Sequence, residues 1–317
     1  MVMSLVAQVS ALRRVNVPLY TLVLLCLLMV VLTTAGILLD PRYVGGAPVW
    51  LKPLKFAIST VAYALSILWT LSFLEGKEKF VRVMGFWLVS VLVLELGLIA
   101  LQAARGVVSH FNMSTPLDGA IYSTMGIAIS SLSFAHLLIA VLVLRQKFTN
   151  PVLAASLRWG MLLSFLGMLL AILMTVPTQG QMTALQAGGV LSAIGAHGVG
   201  VPDGSAGLPV VGWSTRGGDL RIGHFVGLHA LQILPLLGWL LTQSKLLERQ
   251  KRGLLALGGL AYLALTLLLT YQALRGESVV QPGTLSLTLL SSVLLVLTAG
   301  ALWTLRRPTL ERSGAVR

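Results

Sequence analysis

Charge is what this chain has least of. Only 10% of its 317 residues are Asp, Glu, Lys or Arg, against 56% hydrophobic, and the mean hydropathy is +0.89. A water-soluble fold of this size needs far more charge to cover its surface, so the composition reads as a multi-pass membrane protein. Cysteine is nearly absent too. The single thiol, Cys26, lies inside the first apolar run, which excludes an internal disulfide. Acids number ten against 23 Lys and Arg, a net charge of +13. In a soluble protein that excess would point to nucleic acid. Here the cations fall between apolar runs, where they set topology, so no nucleic-acid partner is expected and the lipid bilayer is the first partner. No Walker loop, CxxC or HExxH is present. The GGDLR run opens an apolar span instead of following a strand, so it is no dinucleotide motif.

What the chain has in abundance is apolar runs of about twenty residues, the length that crosses a bilayer as a helix. Eight are read, near 17–39, 55–75, 82–103, 119–144, 157–177, 222–242, 253–274 and 284–304. They are continuously apolar rather than alternating, which favours helices over a barrel and gives an all-α polytopic fold. The first follows Arg13-Arg14 and is too long for a signal-peptide core, so it is kept as a span. Residues 1–12 are expected to form a short amphipathic helix on the membrane face. With the N-terminus inside, sixteen Lys and Arg fall on the cytoplasmic side and seven outside, which places both termini in the cytoplasm.

Those seven outer cations are Arg42, Lys52, Lys55, Arg105, Arg216, Arg221 and Arg275. Five of them stand at or beside a helix mouth. Two pairs of segments repeat at nearly constant offset: WLKPLKF (50–56) with DLRIGHF (219–225), and QAARG (102–106) with QALRG (272–276). Matches in the same order, at the same place relative to the spans, point to a tandem parallel repeat of four helices. The halves would be 1–150 and 151–317, the second carrying a long periplasmic loop over 178–221. The repeat would bring Lys52, Lys55, Arg105, Arg221, His224 and Arg275 to one outer level, with Gln102 a further ligand-binding candidate. There they form a basic bowl whose partner is an anionic small molecule or lipid headgroup, with Asp219 holding Arg221 in place.

The polar residues inside the spans carry the chemistry. Glu95 lies roughly 15 Å and His229 about 12 Å below the outer mouth. A carboxylate at that depth is costly unless protonated or partnered, so Glu95 with His229 is the expected proton-active or metal-binding pair. His224 is five residues before His229, about 140° away around a helix, which does not suit chelation of one ion by both. Gln232 completes this polar cluster on span 6. His110, in the short loop after span 3, is a further candidate, while His197 and Asp203 sit in the long loop. A haem or a divalent metal such as zinc or copper could draw on these histidines, although no spacing is diagnostic and no metal ligands are assigned. His136 reads as a helix-packing hydrogen-bond partner, Gly223 and Gly227 as a packing face, and the long loop as a lid over the bowl.

The strings QAARGVVSHFN (102–112), VGVPDG (199–204) and WSTRGGDLRIGHFVGLHALQ (213–232), about a third of the chain, resemble segments of uncharacterised bacterial multi-pass membrane proteins. The resemblance implies the bacterial inner membrane and brings no activity with it. Three functions remain open: ligand handling at the periplasmic side, with or without catalysis; transport of a small anionic solute; and a non-catalytic assembly factor. Transport predicts polar residues continuing toward the cytoplasm.

Overall fold

The structure is a computed structural model and describes residues 12–306. Nearly all of the amphipathic helix expected over 1–12 therefore lies outside the described residues, as do Arg307, Arg312 and Arg317. Eight helices are long and apolar enough to cross a membrane, and the protein is an all-α, multi-pass integral membrane protein. They are α1 (Val17–Leu39), α2 (Leu51–Leu71), α3 (Glu78–Arg105), α4 (Pro116–Arg145), α5 (Pro151–Leu170), continued by the turn α6 (Ile172–Thr175), then α8 (Leu220–Gln243), α9 (Glu248–Leu274) and α10 (Thr284–Arg306). The short helix α7 (Gln179–Gln186) belongs to the long loop.

Several helices start earlier than the apolar runs indicate. Hydropathy finds the greasy middle of a span, whereas a helix also needs a cap. Asn16, Thr115 and Asn150 each place a side-chain oxygen on the free N–H groups of the next turn, with proline at the first or second position. The early start matters most for α2, whose first two turns contain Lys52 and Lys55. At the other end, α3 and α9 finish identically. Gly106 and Gly276 adopt left-handed φ of 72° and 73°, and the chain beyond folds back onto the carbonyls of Gln102–Ala103 and Gln272–Ala273.

Within the first four spans α1 packs on α2 and α3, α2 on α3, and α3 on α4. The last four pack in the same order: α5 on α8 and α9, α8 on α9, and α9 on α10. Across the division α4 meets α5 and α2 meets α8. The closest pair is α5 with α8, and the reason is side-chain size. Gly167 lies against Gly227, Gly160 against Pro235 and Ser156 against Gly238, so the backbones nearly touch. Gly223 meets Thr270 of α9 on the same helix. A continuous core runs from Leu22 and Leu68 through Leu88 and Ile139 to Leu157 and Leu231. Outward residues such as Leu28, Val31 and Leu295 are exposed on the surface that lipid would cover.

The mouth from which α2 and α8 enter is covered by the loop running from α6 to α8. Its ends are pinned. α7 carries a capping box, and Gln181 bonds both the N–H and the carbonyl of Gly195. Strands β3 (Gly198–Val199) and β4 (Gly218–Asp219) pair antiparallel, and Gly207 bridges Ser214. The loop also reaches both sets of helices, through Met113 N–H to Ser192, Ile194 N–H to Phe111 and Leu220 N–H to His197. A small hairpin before α2, β1 (Tyr43–Val44) with β2 (Ala47–Pro48), turns on Gly45-Gly46 and brings Gly46 against the backbone of Gly204.

Candidate functional site

The polar side chains at this mouth fall into three linked groups. The first belongs to α2, α3 and the loop after α3. Lys52 Nζ lies 3.1 Å from His110 Nδ1, with Ser109 Oγ 3.0 Å from the same nitrogen. An ammonium can only donate, so Nδ1 accepts and the ring hydrogen sits on Nε2. That hydrogen faces Glu95, whose Oε1 is 3.8 Å away, too far for a hydrogen bond. Glu95 is 2% exposed, and neither of its oxygens has a hydrogen-bond partner among the described residues. Phe56, Phe111 and Tyr122 surround the His110 ring. Burial, and then the charges of Lys52 and His197, hold the imidazole pKa of His110 well below its ordinary value. Phe111 adopts a positive φ of 61°, a strained backbone for a bulky residue, and its ring stands edge-on to His197 at 4.9 Å.

His197 opens the second group. Asp203 accepts the backbone N–H groups of His197 and Gly198 at 2.8–3.1 Å and lies 2.7 Å from His197 Nδ1. Burial pulls the His197 pKa down further than Asp203 can raise it. Burial alone would push the Asp203 carboxyl up, but its hydrogen bonds from His197 and Gly198 bring it to about 2. The aspartate is therefore ionised, and Nδ1 carries the hydrogen it accepts. His224 on α8 donates its own Nδ1 hydrogen to the Gly167 carbonyl at 2.7 Å, at the point where α5 and α8 touch.

The third group joins α2 to α8. Asp219 caps α8, accepting Arg221 N–H at 3.1 Å and Ser214 N–H at 2.9 Å. It also holds the Arg221 guanidinium at 2.9 and 2.5 Å, as expected for a residue that positions this arginine. Arg221 Nη2 reaches on to the carbonyl of Gly212, and Lys55 Nζ donates to that of Val211 at 3.3 Å. Eleven residues further along each helix, Gln232 Nε2 donates to Ser66 Oγ at 2.9 Å and Gln232 Oε1 lies 3.1 Å from His229 Nδ1. The two helices thus run parallel in step, with cations at the top and this amide bridge about 16 Å below.

The partner of Glu95 differs from the expected one. Its nearest ionisable neighbour is the His110 imidazole, while His229 bonds to Gln232 on its own helix. The reason is topological: the loop after α3 folds back over its own helix and brings His110 down to Glu95. Two of the expected bowl cations also stand elsewhere. Arg105 and Gln102 both bond Asp118 at the start of α4, at 2.7 and 2.9 Å, and Arg275 pairs with Glu277 at 2.7 Å. Lys52, Lys55 and Arg221 remain as the cations of the mouth, and of these Arg221 is paired with Asp219.

Ser109, Tyr122 and the carbonyls of Val211 and Gly212 join the site without a sequence signal. His197 and Asp203 were visible only as polar residues of a loop. His136 behaves as a packing residue, between Tyr63 Oη at 3.2 Å and the Met161 carbonyl at 3.1 Å. Among the described residues, no three His, Cys, Asp or Glu side chains are grouped so as to hold a metal ion.

No family model, curated protein or solved structure matches the chain.

Proposed function

We propose that this protein binds an anionic ligand at a basic, histidine-bearing site between two four-helix halves, with Glu95 as its proton-active group. On this reading the chain lies in a bacterial inner membrane with both termini cytoplasmic, and the mouth faces the periplasm. One observation carries the reading. Lys52 and Lys55 in the first turns of α2, and Arg221 in that of α8, are cations at the positive ends of helix dipoles, the wrong sign for that position. Among the described residues only one carboxylate, Asp219, lies within ion-pair distance of them. Lys52 Nζ faces an imidazole and Lys55 Nζ a backbone carbonyl, so neither amine has a carboxylate in contact. A bound anion would remove both penalties at once.

The matching packing order of the helices and the twin glycine ends of α3 and α9 support the two halves. Glu95 supports proton handling, since a carboxyl this buried, with no hydrogen-bonding partner among the described residues, is favoured when protonated or when a ligand group enters to meet it. Beyond Gln232 and Ser66 the buried residues of α2 and α8 are mostly apolar, among them Ile67, Leu68, Leu71, Leu234 and Leu241, which favours ligand handling over passage through the membrane.

The test is thermal unfolding of the purified protein with inorganic phosphate, glycerol phosphate and phosphatidic acid as probes. At least one should stabilise it saturably, by about 2.7 kcal/mol at a hundredfold excess over Kd. Lys52→Gln and Lys55→Gln should each weaken that response. If all three probes leave the transition unmoved, the anion site does not exist.

A further inference from the structure

Resting on the anion-site reading above, we infer that the ligand is a membrane amphiphile, an anionic phospholipid entering sideways from the bilayer along the seam between α2 and α8. The two sides of the mouth differ in access. Toward water, the long loop lies across it. The loop's tip carbonyls, Val211 and Gly212, already occupy Lys55 and Arg221, and Ser278 Oγ ties Ser214 down at 3.0 Å. A soluble anion would have to lift this tip before meeting the cations.

Toward the bilayer the same helices are uncovered. Ile58, one turn below Lys55, is 52% exposed, and Phe225, one turn below Arg221, is 40% exposed. Phe225 has Trp213 edge-on at 5.5 Å on one side and His229 at 4.2 Å on the other. This makes a largely apolar aromatic ledge one turn beneath Arg221, where the upper part of a lipid chain would lie. The seam closes at the bridge from Gln232 to Ser66, about 16 Å down. That depth equals about half of a hydrocarbon core about 30 Å thick, so the seam is as deep as one leaflet. Cations in the first two helical turns stand at the level of phosphate headgroups. Head and tail of one molecule thus meet the charge and the ledge together, which a free phosphate cannot do.

The experiment uses the full chain in phosphatidylcholine nanodiscs containing a graded fraction of phosphatidic acid, read by thermal unfolding and by native mass spectrometry of retained lipid. Inorganic phosphate and glycerol phosphate are titrated in parallel into discs of phosphatidylcholine alone. Phosphatidic acid should bind at least tenfold more tightly than glycerol phosphate. Phe225→Ser should cut the lipid affinity about tenfold and leave any response to glycerol phosphate unchanged. Equal affinity for glycerol phosphate and the lipid overturns this inference and leaves the anion site standing. Retention of phosphatidic acid that Lys55→Gln and Phe225→Ser do not alter marks ordinary boundary lipid and also overturns it. Absence of any response to all three probes removes the anion site and this inference together.

Discussion

Replacing Gly167 with alanine tests whether the histidine geometry depends on how closely α5 and α8 approach. A Cβ built at Gly167 would sit 2.4 Å from the backbone nitrogen of Leu228 and 2.5 Å from the carbonyl carbon of Gly227. Both are main-chain atoms in the middle of a long helix, so no side chain can rotate away and the helices must part by about 1 Å. Overpacking of this kind costs about 1–3 kcal/mol. The Gly167 carbonyl also accepts the His224 hydrogen bond at 2.7 Å, and losing that adds about 1 kcal/mol. The expected total is a destabilisation of about 2–4 kcal/mol, together with a freed His224 ring. The assay is thermal unfolding in a fixed detergent, with Gly126→Ala as the control. Gly126 lies within a helix with nothing inside 4 Å of its added Cβ, so alanine there should be neutral or slightly stabilising. Gly227→Ala should resemble Gly167→Ala, and the double variant should fall short of their sum, because both methyl groups fill the same point. If Gly167→Ala proves as harmless as Gly126→Ala, the close approach of these helices is wrong, and with it the placement of His224.

Three further outcomes follow from the site. Asp219→Asn keeps a cap for α8 but leaves Arg221 without its carboxylate in a largely buried place; it should cost about 3 kcal/mol in thermal or chemical unfolding. Arg105→Gln should reduce stability without changing anion affinity in a probe titration, because Arg105 faces Asp118 rather than the mouth. Stability should also fall on mild acidification. His110 (facing Lys52, Glu95 and Ser109) and His197 (facing Asp203, Lys52 and Arg221) both have folded pKa values below the ordinary one, so the unfolded chain binds their protons more readily. Their contribution is complete above pH of about 6.5 and declines below it, by at most about 1.4 kcal/mol per pH unit for each ring. Asp203, already at about 2, does not titrate in that range. Unfolding midpoints from pH 7.5 to 5 should fall more steeply in the parent protein than in His110→Gln, and coincident slopes would refute the burial of the His110 ring.

The number of membrane spans and their helical nature were legible in the sequence, because they depend only on local composition and on the fixed rise of a helix. The similar WLKPLKF and DLRIGHF strings likewise marked the starts of α2 and α8, where Lys52 and Arg221 stand. Which polar groups would touch was not legible. Glu95 meets His110 because a loop folds back over its own helix, and Arg105 turns to Asp118 because α4 begins beside the end of α3. The pairing of α5 with α8 follows from glycines on two segments sixty residues apart in sequence, matched only once the helices are docked. The Val211 and Gly212 carbonyls belong to every residue alike, so their place against Lys55 and Arg221 carries no mark in the side-chain code. Composition sets what must leave water and how far it reaches into lipid; partnership between distant groups is decided by packing, where one missing side chain brings two backbones together and excludes every other arrangement.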